Sequence, residues 1–262
     1  MLQQTIAAYL RAPREDWLVL DTVDSTNTCA KQLALQGAAD GTVVLAQRQT
    51  AGRGRLGRSF QSDAPLGIYL SILWRIDLPA EQLMALPALT AVAACRAVER
   101  VCNCAAEIKW PNDLVLQGRK IGGILTEAVW DGGRCATVAG IGINVSHAAE
   151  DFAPELREMA ASLRMLLNRE VSHEALAAAL IEELDLLRAE VTGAWDAWLA
   201  EYRRRCLTLG KEVRIIRGDK RQTAVALDVD DTFGLVVRRS DGTEETVRAG
   251  EVSVRGLYGY LP

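Results

Sequence analysis

Residues 51–58 place three glycines and three arginines within eight positions, Ala-Gly-Arg-Gly-Arg-Leu-Gly-Arg. Glycine lets a backbone approach a ligand closely, and each guanidinium offers a fork of donors that matches phosphate or carboxylate oxygens. Crowding Arg53, Arg55 and Arg58 together is electrostatically unfavourable unless an anion lies among them. The segment therefore predicts a flexible loop that closes over a phosphorylated or adenylated small molecule. We expect this loop to be disordered until that ligand binds.

The same loop also matches the dinucleotide-binding pattern G-x-G-x-x-G, from Gly52 to Gly57, with an acidic residue, Asp77, about twenty residues further on. That fingerprint needs a helix that begins at its last glycine and points its N-terminus at a pyrophosphate. Residues 59–67 are instead rich in turn-forming residues and show no helical period. A dinucleotide site is therefore disfavoured. For this segment alone, a solvated basic loop is the plainer alternative.

A second segment with chemical potential is Lys109-Trp-Pro-Asn-Asp113. Its proline cannot pair in a sheet ladder, which favours a bend that presents Asn112 and Asp113 at a sheet edge. Lys120 follows and opens the stretch Lys-Ile-Gly-Gly-Ile-Leu, so that a point charge stands beside exposable backbone. Taken alone, this pattern is equally typical of a surface hairpin with a Lys–Asp pair of little energetic value.

A third segment, residues 140–145, alternates glycine with apolar residues and ends in Asn144-Val145. This pattern places a polar amide at the end of a buried strand. An ordinary glycine-bearing strand whose asparagine caps a turn would look the same. The segment therefore gains meaning only beside the other two.

Composition limits the class of protein. The chain has 262 residues, ordinary apolar and charged fractions and a net charge of −4, so a broadly basic nucleic-acid surface is not indicated. No apolar run approaches the roughly 18 residues of a membrane span, and the N-terminus lacks the features of a secretory signal. We therefore expect a cytoplasmic protein. Its six scattered cysteines and two histidines, His147 and His173, lack the spacing of a zinc site, and we expect reduced, mostly buried thiols.

Hydrophobic periodicity predicts strands followed by helices in the larger part of the chain. The predicted strands are 17–20, 42–46, 67–74, 106–110, 113–117, 120–128 and 137–145. The predicted helices are 27–36, 81–102 with a start or kink near Pro87, and 154–205 in two pieces broken around 168–172. After Gly210, short strands at 212–217, 222–229, 234–239, 245–247 and 253–255 predict a small β-barrel.

Taken together and in this order, the motifs resemble the biotin protein ligases, which biotinylate carboxylase carrier domains. Ser25-Thr26-Asn27 resembles the biotin-binding segment of that family, and Gln49 with residues 51–58 resembles its adenylate loop. Residues 109–113, 120–125 and 140–145 match the remaining signatures, and the segment 250–255 resembles the end of the family's C-terminal domain. Phe60 stands where some relatives carry tryptophan, so the packing against a bound ring is expected to differ in detail.

The resemblance implies an α+β protein: a mixed sheet flanked by helices, as in class II synthetase-like catalytic domains, plus a small C-terminal SH3-like β-barrel. It implies a catalytic domain at 1–208 and a barrel domain at 209–262. Because only 24 residues precede Ser25, the chain resembles the ligase-only type without a DNA-binding module. The implied partner is a biotin carboxyl carrier domain, with a homodimer allowed by analogy and neither nucleic acid nor membrane expected.

The implied activity is that of a biotin–[biotin carboxyl-carrier protein] ligase, which uses biotin, ATP and Mg²⁺ to form biotinyl-5′-AMP and then biotinylates a lysine. The resemblance assigns catalysis to Lys120, Asp113 and Arg55, with no metal-ligating residue. It assigns substrate binding to Ser25, Thr26, Asn27, Gln49, Gly52, Arg53, Gly54, Arg55, Lys120, Gly122, Gly123 and Asn144.

Two other functions fit the motifs less well. Lipoate–protein ligases share the adenylation chemistry, but the Gly-Arg-Gly-Arg loop and the Lys-Trp-Pro-Asn-Asp segment favour biotin. A non-catalytic binder that senses biotin or a partner protein would keep the pocket, yet it should lack Lys120 or the loop arginines.

Overall fold

A computed structural model describes residues 3–131, 134–248 and 253–256 of the chain. Its larger part is a seven-stranded mixed sheet flanked by helices, and a five-stranded antiparallel sheet follows. The predicted α+β class, with a mixed sheet followed by a small all-β unit, is confirmed.

The larger sheet has the strand order β1-β2-β3-β7-β6-β5-β4, in which β1 and β2 pair in parallel and all other neighbours are antiparallel. Its strands are β1 (Trp17–Val23), β2 (Val43–Gln49), β3 (Gly67–Trp74), β4 (Glu107–Lys109), β5 (Asp113–Leu116), β6 (Arg119–Asp131) and β7 (Arg134–Asn144). Residues 132 and 133, predicted as the turn between the last two strands, lie outside the described ranges.

The helices lie on both faces of this sheet. They are α1 (Gln3–Ala7), α2 (Thr26–Leu35), α3 (Ala80–Leu83), α4 (Leu86–Cys102), α5 (Leu163–Leu167), α6 (His173–Glu190) and α7 (Trp195–Arg205). The predicted irregularity near Pro87 is confirmed, because the chain turns between α3 and α4. In the described ranges, no helix has the length and apolar character needed to cross a lipid bilayer.

Strand β3 shows how the sheet separates its two faces. All eight of its residues are buried, and successive side chains point to opposite sides. Ile68, Leu70 and Ile72 join the main core with α4 and α6. Leu73 packs with α2 on the other face, where Ser71 also lies. A buried serine in an otherwise apolar strand therefore marks the face on which polar chemistry is gathered.

The smaller sheet has the order β11-β10-β9-β8-β12 and is antiparallel throughout. Its strands are β8 (Glu212–Arg217), β9 (Lys220–Val229), β10 (Leu235–Arg239), β11 (Glu244–Val247) and β12 (Ser253–Gly256). The preceding residues 250–252 of the predicted C-terminal motif lie outside the described ranges. The turn between β9 and β10 packs against the larger part of the chain. The ring centroids of Phe233 and Tyr202 lie 5.1 Å apart, and the Phe233 carbonyl accepts from Trp110 Nε1 at 2.9 Å.

The segment 145–162 contains only two short 3₁₀ turns before α5 begins. The helix predicted from residue 154 onward is therefore absent between residues 154 and 162. The reason is a long-range backbone pairing: the Lys120 N–H donates to the Met159 carbonyl at 2.8 Å, and the Ala161 N–H donates to the Lys120 carbonyl at 2.9 Å. These bonds hold residues 159–161 against β6, which local helix propensity does not anticipate. A further break at 191–194 separates α6 from α7.

Ser162 and Ser172 both cap helices, but only Ser162 makes a further buried hydrogen bond. Ser172 Oγ accepts from the Ala175 N–H at the exposed start of α6, whereas the buried Ser162 Oγ accepts from Met165 and also donates to the His147 carbonyl at 2.6 Å. We expect Ser172→Ala to lower the free energy of unfolding by about 1 kcal/mol. Ser162→Ala should lower it by about 2–3 kcal/mol, because it also leaves a buried carbonyl unpaired. Urea unfolding at neutral pH measures both, and equal losses would contradict the assigned second bond.

Candidate functional site

A cavity of about 710 Å³ opens on the α2 face of the larger sheet and brings together residues of all three sequence motifs. The predicted site residues that line it are Ser25, Thr26, Asn27, Gln49, Arg53, Gly54, Arg55, Asp113, Lys120, Gly123 and Asn144. Gly52 and Gly122 lie behind the lining. A side chain at Gly52 would clash with Ser62 Oγ and the Phe60 carbonyl, and one at Gly122 would clash with the Gly142 carbonyl.

The floor of the cavity is a pair of glycines on β7. A Cβ on Gly140 would collide with the side chain of Asn27, and a Cβ on Gly142 would lie 2.7 Å from the Phe60 ring. The glycine–apolar alternation of the third motif thus has a steric cause. Its apolar members, Ile141 and Ile143, fill the main core, while its glycines leave room for Asn27 and Phe60 on the opposite face.

A chain of buried polar groups forms one wall. The Thr26 N–H and hydroxyl both lie in hydrogen-bond reach of Gln49 Oε1, at 2.8 and 3.1 Å. Ser71 Oγ lies 2.8 Å from Thr26 Oγ1 and donates to Asn27 Oδ1 at 2.6 Å. Because Gln49 accepts through its oxygen, its amide nitrogen points the other way, toward Gly52. The wall therefore presents hydroxyl and amide groups in fixed orientations to whatever enters the cavity.

Glu127, on β6, completes this wall from outside the cavity. Its Oε2 accepts from Asn27 Nδ2 at 2.9 Å, and its Oε1 contacts Lys31 Nζ at 2.7 Å and an Arg53 guanidinium nitrogen at 3.1 Å. Burial alone would raise the pKa of Glu127, but the hydrogen bonds from Lys31 and Asn27 and the charges of Lys31 and Arg53 hold it below its ordinary value. The carboxylate is therefore ionised at neutral pH.

The arginine–glycine loop folds as a small hairpin over the cavity. Arg53 and Ser59 form an isolated bridge, the Gly54 N–H donates to the Arg58 carbonyl at 2.7 Å, and Leu56 at the tip has a left-handed backbone with φ of 56°. A guanidinium nitrogen of Arg55 donates to Asn112 Oδ1 at 2.8 Å. Burial is the main reason that the pKa of Arg55 is lowered, against the opposing charge of Asp113.

Lys120 and Asp113 form an ion pair across the β5–β6 hairpin. Lys120 Nζ lies 2.6 Å from Asp113 Oδ1, and both side chains are partly exposed to the cavity. Gly123 stands beside the pair, with the position of a Cβ 3.5 Å from each of the two charged groups. The pattern Lys-Ile-Gly-Gly thus places an ammonium group at the centre of the site and keeps its surroundings open.

The Lys-Trp-Pro-Asn-Asp segment makes the bend that its proline predicts, through a cis Trp110–Pro111 peptide. The Tyr202 hydroxyl donates to the Pro111 carbonyl at 3.1 Å and anchors the bend on α7. Asn112 is tied to β6 in both directions, since its Nδ2 donates to the Ile124 carbonyl at 2.6 Å and its own carbonyl accepts from the Ile124 N–H. Asn112 therefore offers its side-chain oxygen to Arg55 in a fixed position.

The segment 145–162 covers the cavity from the side of β6 and β7. Phe152, Leu156 and Met159 contribute an apolar wall. Asn144 Nδ2 donates to the Ala161 carbonyl at 3.2 Å, which holds the start of α5 and the end of β7 together. One part of the cavity is thus suited to a flat apolar or aromatic group, whereas the loop side is cationic.

The charge of the cavity is strongly one-sided. Among the described residues that line it, six are cationic and a single one, Asp113, is a carboxylate. The cations are Arg53, Arg55, Arg58, Lys109, Lys120 and Arg214. Such an excess at a partly enclosed site favours a polyanionic ligand. Within the described chain, no group of three or more His, Cys, Asp or Glu side chains is arranged to hold a metal ion.

Sequence reasoning missed several contributors to this site, four of which are instructive. Ser71 had a visible signal, a polar residue inside an apolar strand, whereas Glu127 looked like an ordinary solvent-facing position of β6. Arg214 reaches the cavity from β8 of the smaller sheet, and Phe152 from the covering segment. Those two depend on the packing of distant elements, for which local pattern carries no information.

The two histidines lie close together beneath the covering segment. The His147 ring stacks on Phe152 with a centroid distance of 5.2 Å. Burial lowers the pKa of His147, with Asp151 and Asp63 opposing this and His173 and Arg164 adding to it. Burial also lowers the pKa of His173, against its bond to the Leu66 backbone and the charges of Glu174 and Glu170. Both rings are therefore neutral at pH 7.

Two parts of the chain match known protein families. Residues 19–145 match the biotin/lipoate A/B protein ligase family, and residues 208–255 match the biotin protein ligase C-terminal domain. The chain is 33% identical to the biotin–[acetyl-CoA-carboxylase] ligase of Mycobacterium tuberculosis over 248 residues, covering 90% of this chain and 89% of that protein. The ligase of Paracoccus denitrificans with the same name is also 33% identical, over 91% of this chain and all of its own length.

Other relatives are longer than the matched region. The bifunctional ligase/repressor BirA of Bacillus spizizenii is 42% identical over 144 residues, which is 55% of this chain and 44% of that protein. Among solved structures, the biotin protein ligase of Aquifex aeolicus in complex with biotin and ATP superposes with a TM-score of 0.80 at 26% identity, covering 93% of this chain and 100% of the other. The Leishmania major ligase bound to biotinyl-5-AMP gives 0.63 at 26% identity, over 90% of this chain and 100% of the other.

The buried histidines predict acid sensitivity. Because the pKa values of His147 and His173 lie below 6.5 in the folded protein, the unfolded chain binds more protons as the pH falls through about 6.5. The free energy of unfolding should therefore decrease between pH 7 and pH 5. Urea unfolding across this range should show a smaller decrease for the His147→Gln/His173→Gln double variant than for the wild type. An equal decrease in the free energy of unfolding for the variant and the wild type would contradict this. The Glu127 carboxylate does not affect the comparison, because its lowered pKa means that its stabilisation is lost only at lower pH.

Proposed function

The chain belongs to the biotin/lipoate A/B protein ligase family, and on this premise we propose that it is an ATP-dependent biotin–protein ligase. The observation that supports this most strongly is the combination in one cavity of a neutral hydrogen-bonding wall with a cationic loop. The first suits the ureido ring of biotin, and the second suits the phosphates of ATP. We further propose that the chain divides into a catalytic domain, 1–208, and a C-terminal domain, 209–262.

In this proposal the polar wall binds the vitamin. Ser25, Thr26 and Gln49 provide hydroxyl and amide groups that hydrogen-bond the ureido and carboxylate groups of biotin. Asn27 acts as their support, since its two amide hydrogens already bind Glu127 and the Leu125 carbonyl. The glycine floor admits a flat ring, with Phe60 above Gly142 limiting its depth.

The loop and the β5–β6 hairpin bind the nucleotide. Arg53, Arg55 and Lys120 place positive charge around the α-phosphate, and the backbone of Gly54 and Gly123 allows the phosphates to approach. Gly52 and Gly122 support this surface from behind, because they leave room for the chain that packs against them. Asn144 contacts the nucleotide at the end of β7, and Arg214 contributes charge to the departing pyrophosphate from the smaller sheet. Mg²⁺ would enter as part of the ATP substrate, bound mainly to phosphate oxygens, as expected for a cavity with one lining carboxylate.

The first half-reaction joins biotin to AMP. A biotin carboxylate oxygen attacks the α-phosphorus, the bond to the β-phosphate oxygen breaks, and pyrophosphate leaves with the electron pair. Negative charge grows on crowded oxygens as the two anions approach, and Lys120 lies where it can bridge them once it exchanges Asp113 for the substrates. Closure of the loop keeps water from the mixed anhydride that forms.

The second half-reaction transfers biotin to protein. The ε-amine of an acceptor lysine attacks the acyl carbon, an amide bond forms, and AMP leaves. Asp113, freed from Lys120, accepts the proton of the amine or orients it for attack. By analogy with the Mycobacterium and Paracoccus relatives, whose names specify acetyl-CoA carboxylase, the proposed acceptor is the biotin carboxyl carrier domain of that or a related carboxylase, and a homodimer is consistent with the proposal.

The proposed activity is tested by ATP–pyrophosphate exchange with biotin, using the wild type beside Lys120→Ala. We expect exchange that requires biotin and MgATP and that falls on the order of a hundred- to a thousandfold in the variant, because the charge on the reacting oxygens is lost. Running the same assay with lipoate separates the two vitamins. If exchange requires lipoate and does not occur with biotin, lipoate is the substrate. If the protein is folded but catalyses no exchange with either acid, only a binding role is left.

The role of Asp113 is tested in the second half-reaction alone. With biotinyl-5′-AMP supplied directly, Asp113→Asn should slow single-turnover transfer to a carrier domain by on the order of a hundredfold. Its effect on pyrophosphate exchange should be smaller, because asparagine still offers an oxygen to Lys120. Equal losses in both half-reactions would show that Asp113 only positions Lys120.

A further inference from the structure

We propose that Glu127 is a positioning residue that couples the closed arginine–glycine loop to the wall of the biotin pocket. This inference rests on the proposed function. Glu127 lies outside the cavity lining and so acts on a bound ligand only through its neighbours. Those neighbours come from two places that must act together during adenylation: the loop, through Arg53, and the pocket wall, through Asn27.

On the loop side, Glu127 provides a side-chain attachment opposite the one that Asn112 provides. Arg53 binds Glu127 on β6, and Arg55 binds Asn112 on the far side of the cavity. The Arg53 side chain is 47% exposed, whereas that of Glu127 is 17% exposed, so the carboxylate is the fixed member of the pair. Loss of the Glu127 contact therefore removes the side-chain attachment that Arg53 makes on the side of β6 and the biotin wall.

On the wall side, Glu127 fixes the orientation of an amide. Asn27 is only 4% exposed and sits against Gly140, with Ser71 binding its oxygen and Leu125 and Glu127 binding its nitrogen. Ser71 in turn contacts the Thr26 hydroxyl, which contacts Gln49. Loss of the carboxylate leaves a buried amide hydrogen without its acceptor, and the disturbance reaches the groups proposed to bind biotin.

Charge makes the two attachments interdependent. A single ionised carboxylate serves Arg53, Lys31 and Asn27, so neutralising it removes acceptors from the loop and the wall at once. In Glu127→Gln the amide offers only one oxygen, and its NH₂ group must face either Asn27 or the two cations. The structure thus assigns Glu127 to retention of the adenylate, which needs both the closed loop and the ordered wall.

The alternative is a surface ion pair with Lys31 that serves stability alone. Lys31 lies on α2, does not line the cavity and binds the same Oε1 atom as Arg53. Lys31→Met therefore gives a matched control, because it removes a cation from Glu127 without touching the loop or Asn27.

The test measures dissociation of a non-hydrolysable biotinyl-adenylate analogue from the full chain by stopped flow. Glu127→Gln should raise the dissociation rate constant by at least tenfold, and Lys31→Met by less than threefold. Arg53→Met should also raise it, and the double Arg53→Met/Glu127→Gln variant should be much less impaired than the product of the single effects. Multiplicative effects, or equal effects of Glu127→Gln and Lys31→Met, would overturn the proposed coupling.

A second readout follows the loop without any ligand. Limited trypsin digestion of the free protein at Arg53, Arg55 and Arg58 should be at least threefold faster in Glu127→Gln than in wild type or Lys31→Met, with thermal unfolding confirming that each variant is folded. Unchanged cleavage would overturn the loop attachment even in a folded protein. If the wild type neither binds the analogue nor exchanges pyrophosphate, the proposed function fails instead, and the cleavage result still decides whether Glu127 holds the loop.

Discussion

The site depends on one steric constraint: two neighbouring central strands must pair along their backbones yet carry little side-chain volume at the positions that face Asn27 and Phe60. Gly140 and Gly142 on β7 and Ser71 on β3 satisfy it. Each strand glycine costs roughly 0.5–1 kcal/mol in backbone entropy relative to alanine. The opposite face compensates, because the alternating isoleucines of the same strands fill the largest core cluster. The cavity is thus a consequence of strand alternation, in which one face is filled by isoleucines and the other is left open at Gly140 and Gly142.

A second constraint is electrostatic. The cavity concentrates cations, and three of them have partners within the described protein: Arg53 with Glu127, Arg55 with Asn112, and Lys120 with Asp113. An incoming anion must compete with these partners, so its binding is an exchange of contacts and is weaker than bare charge counting suggests. In the proposed mechanism the same exchange gives direction to the chemistry, because the substrate that takes Lys120 releases Asp113.

Local pattern predicts much of this architecture, and for identifiable reasons. β3 and β8 match their predicted bounds, since apolar runs ended by turn residues have few alternative structures. The bend at Pro111 and the opening at Gly140 follow from what proline and glycine cannot do. The helix expected from residue 154 was wrong, because backbone bonds between Lys120 and residues 159–161 outweigh helix propensity. Local preference therefore determines the secondary structure only in segments whose backbone groups are not bound by a distant strand.

Some site residues could not be predicted from the sequence, because their roles depend on contacts with residues that are distant along the chain. In the sequence, Glu127 looks like an ordinary exposed residue of a strand. It becomes an acceptor shared by Asn27 and Arg53 only because α2 and the loop pack beside β6. Arg214 belongs to a different sheet and reaches the cavity because the β9–β10 turn is fastened to Trp110 and Tyr202. That fastening joins the smaller sheet to the very segment that carries Asn112 and Asp113.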